Sequence, residues 1–578
     1  MITRSIKRLW VHLAPRRKKQ LAMLLVMMVT TSLTEVITIS AVLPFLGALM
    51  SPEKIFTSSH MQPLVKILQI SEPNQLILPL TLLFIAGVLV AAGMRLALVW
   101  AQIRLSNAIG ADLSIQMYEK TLFQPYSVHV SRNSSQVIAG ISGKANSVVT
   151  SAILPLLTAL SSGLMLVVIV ATLVVIDPPV AIVIFGSFGM VYVLIMASLR
   201  KQLLSNSQRI SHSSDQVIKA LQEGLGGIRD VLIDSTQAVY CKIYRQADLS
   251  LRRARANNQI IGASPRFVIE ALGISLIAAL AYMLASGEGG GAAAIPLLGT
   301  LAIGAQRLLP VMQQLYGSWS AFRGDQASLL DVLQLIEQPL PAHSRDLTSQ
   351  SIPFENTINL VNVYFSYTKQ SPWALRDINL KIVKGSRIGI VGTTGSGKST
   401  LLDIIMALLQ PSEGVLLIDE TPINEKNFKG WQSHIAHVPQ SIFLADATIS
   451  ENIALGVPPE LIDYKRVEKA AKQAEIAATI ESLEKGYNTI VGERGVRLSG
   501  GERQRIGIAR ALYKQADVIV FDEATSALDN ETETAVMASV NSITDRSVTL
   551  FLVAHRLSSL QGCDLIYKIE GGSILNHV

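Results

Sequence analysis

The chain has 578 residues, of which 49% are hydrophobic and only 16% charged, with a formal charge of +7. Ordinary soluble domains carry about 25% charged residues, so this composition argues against an ordinary soluble protein and makes a membrane-embedded part the first expectation. The positive balance is what basic loops on the cytoplasmic side of a bilayer produce, and no nucleic-acid partner is expected. Cys241 and Cys563 have no partner at metal-ligand spacing and are read as reduced, non-catalytic thiols.

Seven Lys and Arg and no acid occur in the first twenty residues, ahead of the apolar run 21–50. That run is much longer than the about 7 to 15 residues of a signal-peptide core, so it is expected to be a retained first membrane helix. A helix crosses the hydrocarbon layer with about 20 apolar residues. Six stretches qualify: 21–50, 76–102, 149–176, 179–200, 264–286 and 291–316. Asp177-Pro178-Pro179 and the Gly-rich run 286–291 break neighbouring stretches and read as tight turns.

Charge sets the orientation. Residues 200–263 hold ten Lys and Arg, while the loops assigned to the outer side hold only Lys54 and Lys66. Both termini are therefore expected in the cytoplasm, in a multi-pass cell (inner or plasma) membrane protein. The cytoplasmic connections 103–148 and 201–263 are too long for loops and are helical in pattern. Spans two to five should continue beyond the membrane and turn near 128–135 and 225–234. On the outer side, Met61–Ile70 reads as a short interfacial or packed helix.

A membrane domain over 1–340 then gives way to an α/β domain over 341–578, with its core starting near 353. Alternating apolar positions in FENTINLVNVYFSY suggest strands. The strand Arg387–Val391 runs into Gly392-Thr393-Thr394-Gly395-Ser396-Gly397-Lys398-Ser399-Thr400 and a helix. This is a phosphate loop: glycines turn backbone N–H groups toward the phosphates, Lys398 reaches the β and γ oxygens, and Ser399 takes Mg²⁺. A second apolar strand, Val518–Phe521, ends in Asp522 and Glu523. Asp522 is placed to hold the Mg²⁺ shell and Glu523 to orient or deprotonate the attacking water. In LSGGERQR, Ser499, Gly500, Gly501 and Glu502 open a helix whose N-terminus suits an anion. Trp373 and Trp431 are read as surface or packing residues.

Together these motifs resemble the nucleotide-binding domain of ATP-binding-cassette (ABC) transporters, and six spans ahead of one such domain resemble an exporter-type half-transporter. The resemblance implies a fold: an all-α polytopic domain of six transmembrane helices in the type I ABC exporter arrangement, followed by an α/β P-loop NTPase domain. It further implies that Tyr367 stacks on adenine and that Gln440 contacts Mg²⁺ and relays movement. Asp529 would cross the dimer contact, and His555 would hold the γ-phosphate near Glu523. Val491-Gly492-Glu493-Arg494-Gly495 matches the exporter-type loop. ATP and Mg²⁺ are the implied cofactors. Each ATP would lie between the phosphate loop of one subunit and the signature residues 499–502 of the other, which makes a homodimer the expected partner arrangement.

The spans carry Glu35, Arg95, Glu270 and Arg307. Such ions are costly in hydrocarbon, so each needs a partner or a wet cavity. One reading pairs them, Glu35 with Arg95 for instance. The other makes Arg95 and Arg307, with Arg266 and Arg104 nearer the cytoplasm, a basic lining for an anionic substrate, since guanidinium forks bind phosphate oxygens in pairs. The stretches TEVITISAVLPFL, ASPRFVIEALGI and AQRLLPVMQQLY resemble the PglK-like subgroup of ABC exporters, which flips lipid-linked (polyprenyl-diphosphate) oligosaccharides. Gln314 stands where that subgroup leads one to expect a basic residue. The expected function is therefore an ATP-hydrolysing flippase of an amphipathic anionic glycolipid, with a multidrug, lipid or peptide exporter as the alternative.

Overall fold

A computed structural model describes residues 2–50, 52–57, 62, 72–176, 178–285, 291–341, 352–368, 370–523, 530–543, 547–553, 560 and 562–577. They divide into two units, residues 1–122 with 132–339 and residues 340–578 with 123–131.

In the first unit a short helix, α1 (Ile2–His12), precedes α2 (Pro15–Met50) and α3 (Ile77–Leu122). The short α4 (Tyr126–Ser131), which falls in the second unit, leads to α5, a continuous helical run over 134–176 containing two π-helical stretches, Ala139–Lys144 and Val149–Ile153. Then come α6 (Pro178–Gly226), the short α7 (Ile228–Ile233), α8 (Gln237–Ala285), α9 (Gly291–Gly324) and α10 (Gln326–Ile336). Within 73–122 and 134–172 the helices hold windows long and apolar enough to span a bilayer.

At 46 and 49 residues, α3 and α6 extend to roughly 70 Å at 1.5 Å per residue, more than twice the hydrocarbon thickness. Both helices are thus as long as the expected spans with their helical continuations, and α4 and α7 overlap the two stretches where turns were expected. Helix α2 starts at Pro15, ahead of the apolar run that begins at 21, and the Arg17 guanidinium near its start forks onto Asp112 of α3 at 2.8 and 3.1 Å. The Met61–Ile70 segment and the turn at 286–290 lie outside the described residues.

Apolar positions repeating on one helix face bury Ile109, Leu113 and Met117 of α3 against Val148, Ala152 and Ile153 of α5. Polar ties reinforce this packing. Lys144, on the first π-helical stretch, is nearly buried, and its ammonium reaches Asp331 of α10 at 2.7 Å and Asp215 of α6 at 2.8 Å.

In the second unit, β1 (Thr357–Phe365), β2 (Leu375–Val383), β4 (Glu413–Ile418) and β5 (Thr421–Pro422) form an antiparallel sheet ordered β2-β1-β4-β5. The second sheet is ordered β10-β9-β3-β8-β7-β6, from β3 (Arg387–Gly392), β6 (Ile435–Val438), β7 (Val518–Asp522), β8 (Thr549–Val553), β9 (Leu565–Glu570) and β10 (Ser573–His577). Its pairs are parallel except β9 with β10. Strands β7 and β8 read as apolar runs because both faces are buried: Ile519, Phe521, Leu550 and Leu552 pack in one core cluster, and Val518, Val520, Phe551 and Val553 in another that also takes in residues of β1, β2 and β4. Trp431 is fully buried, with its indole N–H donating to the Ile405 carbonyl at 2.7 Å, and so belongs to the core.

Candidate functional site

The parallel pairing of β3, β8 and β7 puts the carboxyl ends of β3 and β7 at one edge of the sheet, separated only by β8: Ile390 and Asp522 both register against Val553. In α/β sheets ligands bind at that edge. Here β3 turns into the glycine loop and α11 (Lys398–Ile405). Gly395 and Gly397 have φ of +79° and +108°, which side-chain-bearing residues rarely adopt, and a Cβ on Gly392 would sit 2.4 Å from the Ile569 carbonyl oxygen. The loop therefore needs glycine for its shape as well as for access.

The Lys398 ammonium, nearly buried, donates to the carbonyls of Gly392 at 2.9 Å and Thr393 at 3.1 Å. It is held folded over the loop mouth, while Thr393, Thr394, Gly395 and Ser399 are exposed. Ser396 is buried with its hydroxyl unpartnered among the described residues. Thr400 meets Tyr367 through a 3.0 Å hydroxyl contact, and Tyr367, half-exposed, stands edge-on to Phe365 at 5.0 Å.

Across the sheet edge, Asp522 ends β7 and Glu523 follows with φ of +51°, its N–H donating to the Val553 carbonyl at 3.1 Å. The Gln440 amide nitrogen donates to the Glu523 carboxylate at 2.7 Å. That bond orients the carboxylate and leaves the Gln440 carbonyl oxygen for another partner. Burial first, then the charge of Glu523, raises the Asp522 carboxyl above its usual range, with Lys398 opposing. Ser399, Gln440 and Asp522 supply a hydroxyl, an amide oxygen and a carboxylate, which is a donor set that fits a hard cation such as Mg²⁺.

Ser499 caps α12 (Gly500–Lys514): its hydroxyl accepts from the Glu502 N–H at 3.2 Å, and the Glu502 carboxylate accepts from the Ser499 N–H at 2.7 Å. The N–H groups of Gly500 and Gly501 remain at the positive helix end. Asp529 and His555 lie outside the described residues.

Two residues of this site carried no motif. The Asp403 carboxyl, on α11, is pushed up to about 6 by burial and by Asp522. Tyr126, from α4, lies close enough to Asp403 and Tyr367 that burial first, then those two groups, raise its phenol. Beside it the Lys429 ammonium sits over the Phe123 ring at 5.5 Å. Burial pushes the Cys563 thiol up to about 11, which keeps it protonated and unreactive.

Within the first unit, Arg95 pairs with the buried Glu35 and lines a cavity of about 490 Å³. Ser162, whose hydroxyl donates to the Gln314 amide oxygen at 2.8 Å, shares that cavity with Gln102, Thr158 and Gln314. The Gln102 amide nitrogen is buried and unpartnered among the described residues. Arg266 is not part of this lining; it faces Glu270 one turn on at 3.8 Å. Arg104 stacks over Trp100 at 5.5 Å, and the Arg307 side chain lies outside the described residues.

Two family models match the chain: "ABC transporter" over residues 375–526 and "ABC transporter transmembrane region" over residues 20–288. The ATP-dependent lipid A-core flippase of Saccharophagus degradans is 42% identical over 218 residues, 38% of this chain and 36% of its own. The chain thus spans little more than a third of that relative's length. The ATP-dependent lipid A-core flippase of Cupriavidus metallidurans is 28% identical over 482 residues, 82% of this chain and 79% of its own. A solved structure of a bacterial Atm1-family ABC exporter with ATP bound has the same fold, with a TM-score of 0.78 over 97% of this chain and 95% of its own, at 21% identity.

Proposed function

The chain is an ABC transporter of the exporter type, a helical membrane domain fused to one nucleotide-binding domain, and on that basis we propose that it hydrolyses ATP to move an anionic glycolipid across the cell membrane. The observation that carries the ATPase reading is the single sheet edge where Lys398 caps the glycine loop and Gln440 aims the Glu523 carboxylate.

When ATP enters, Lys398 exchanges the two loop carbonyls for β and γ phosphate oxygens, and Tyr367 stacks on the base. Glu523 takes the proton of the attacking water as its oxygen bonds to the γ-phosphorus and the bond to the β–γ bridging oxygen breaks. Ser399, Gln440 and Asp522 would hold Mg²⁺, which supplies neutralisation of the phosphate charge. Asp529 and His555 take the roles their motifs imply, at the dimer contact and at the γ-phosphate. Signature residues 499–502 serve the nucleotide of a second copy, so the working unit is a homodimer. The chain is a multi-pass protein of the inner or plasma membrane with cytoplasmic termini.

The substrate reading rests on Arg95. A guanidinium beside hydroxyl and amide side chains in one cavity suits a lipid that carries both phosphate and sugar. Within that class the motif resemblance favours a polyprenyl-diphosphate oligosaccharide and the relatives' names favour a lipid A-core. In proteoliposomes the full chain should move one of these two lipids in an ATP-dependent manner. Arg95→Ala should cut that transport at least tenfold while ATP hydrolysis without substrate persists. Transport of neither lipid, with drug-stimulated hydrolysis instead, would overturn the glycolipid reading in favour of a multidrug exporter.

A further inference from the structure

Beside the cavity at Arg95, the first unit holds a second one of about 410 Å³ on the opposite side of the same helix pair. Helix α5 turns Thr158 and Ser162 toward the first cavity and Pro155 and Ala159 toward the second; α9 turns Gln314 one way and Leu315 and Trp319 the other. Residues one or two positions apart on a helix face different ways, which makes one cavity polar and the other apolar.

The second cavity is walled by hydrocarbon and aromatic rings. Tyr192 of α6 lies 5.5 Å from Tyr316 of α9, which lies 5.8 Å from Trp319. Two phenol groups fall within this wall. The Tyr316 hydroxyl donates to the Ile261 carbonyl at 3.0 Å, whereas the Tyr192 hydroxyl is buried with no partner among the described residues. Buried tyrosine hydroxyls usually find an acceptor, and leaving one unmatched is destabilising. Left to water, this half-open apolar cavity also keeps its hydrocarbon and aromatic lining wet, at a hydrophobic cost. A ligand that is hydrocarbon for most of its length and carries one acceptor oxygen would remove both costs.

The surroundings say where it comes from. Next to the cavity, Met190, Val193 and Leu194 of α6 are apolar residues exposed on the single copy. Ile6 of α1 closes one end, and α1 also shows an exposed Trp10 and Val11 together with exposed Arg4 and Lys7. Aromatic and basic residues on a short helix are the signature of an element lying in the headgroup region and drawn to anionic lipid.

We infer that this cavity is a resident site for one hydrocarbon chain of an anionic glycerolipid from the leaflet on which α1 lies, with an oxygen of that lipid accepting the Tyr192 hydroxyl. The occupant is distinct from the cargo, because the α5–α9 wall separates it from Arg95. It fills the space between α6 and α9 and packs them as a side chain would.

The test uses the purified, delipidated full chain, supplied with phosphatidylglycerol bearing a photoactivatable acyl chain or with phosphatidylcholine bearing the same chain. Adducts are mapped by mass spectrometry. Phosphatidylglycerol should label α5 near 155–159, α6 near 189–193 and α9 near 312–319, several-fold more than phosphatidylcholine does. Gly189 lines the cavity and a Cβ added there meets nothing within 4 Å, so Gly189→Phe places a ring at the cavity wall and should abolish those adducts. Tyr192→Phe, which keeps the ring, should reduce them several-fold. Labelling confined to exposed positions such as Met190 and Leu194, or unchanged in both variants, would overturn the site. Displacement by the transported glycolipid, one molecule for one, would overturn a resident lipid in favour of a cargo tail.

Discussion

Asp403 shows how much of the candidate nucleotide site lies outside its motifs. It is four residues beyond Ser399 on α11, and its carboxyl is pushed up to about 6 by burial and by the neighbouring Asp522. Between the ordinary carboxylate range and about pH 6 the folded protein holds this proton more tightly than the unfolded chain does. That contribution is full at low pH and is lost as pH rises through 6. Asp403→Asn removes the cost of ionisation. Free of nucleotide and Mg²⁺, this variant should melt above the parent at pH 7.5, and the gap should narrow at pH 5. A gap that widened on acidification would mean that the carboxylate is stabilised where it sits.

Lys398, Asp522, Glu523 and Ser499 could be found from sequence because each is tied to a strand end or helix start a few residues away. Asp403 and Tyr126 could not, because what matters about them is a proximity across more than two hundred residues. The Glu35–Arg95 pair was legible as one of two readings. In the structure Arg95 fits both, since it is paired and also lines the cavity.

At the scale of elements, helix and strand types follow from apolar periodicity, and the long helical connections follow from their lack of breakers. The polar ties between helices do not, and Lys144 is the instructive case. Nothing local links it to Asp215 and Asp331, which lie 71 and 187 residues away in sequence. Placed on a π-helical stretch, where the extra residue per turn shifts a side chain's direction, it bonds α6 and α10 at once. Lys144→Ala leaves the partly exposed Asp215 and Asp331 carboxylates without their shared cation and should cost about 1–2 kcal/mol. The check is thermal melting of the detergent-solubilised chain. Restoring the loss by adding Asp331→Asn would identify the stranded charge as the cause, whereas no recovery would point to lost packing.

At the scale of the whole molecule, one copy carries a complete glycine loop and a complete signature helix. If each serves the other's partner across a dimer, stopping hydrolysis must trap the pair. Glu523→Gln keeps the length and the Gln440 neighbour while removing the base. It should lower turnover by about 10²–10⁴-fold. With ATP it should elute as a stable dimer that retains nucleotide through gel filtration. Undiminished turnover would assign the proton to another group, and nucleotide retained by a monomer would overturn the shared site.

The second unit includes Phe123–Ser131, although the chain on either side of it belongs to the first. The polypeptide therefore passes between the units three times, after residues 122, 131 and 339, instead of once through a single linker. The stretch 123–131 is thus anchored by partners remote in sequence, such as the Lys429 ammonium over the Phe123 ring, and not by the helices that flank it in the chain. Like a stitch, those nine residues belong to the cloth they are sewn into and not to the thread that carries them.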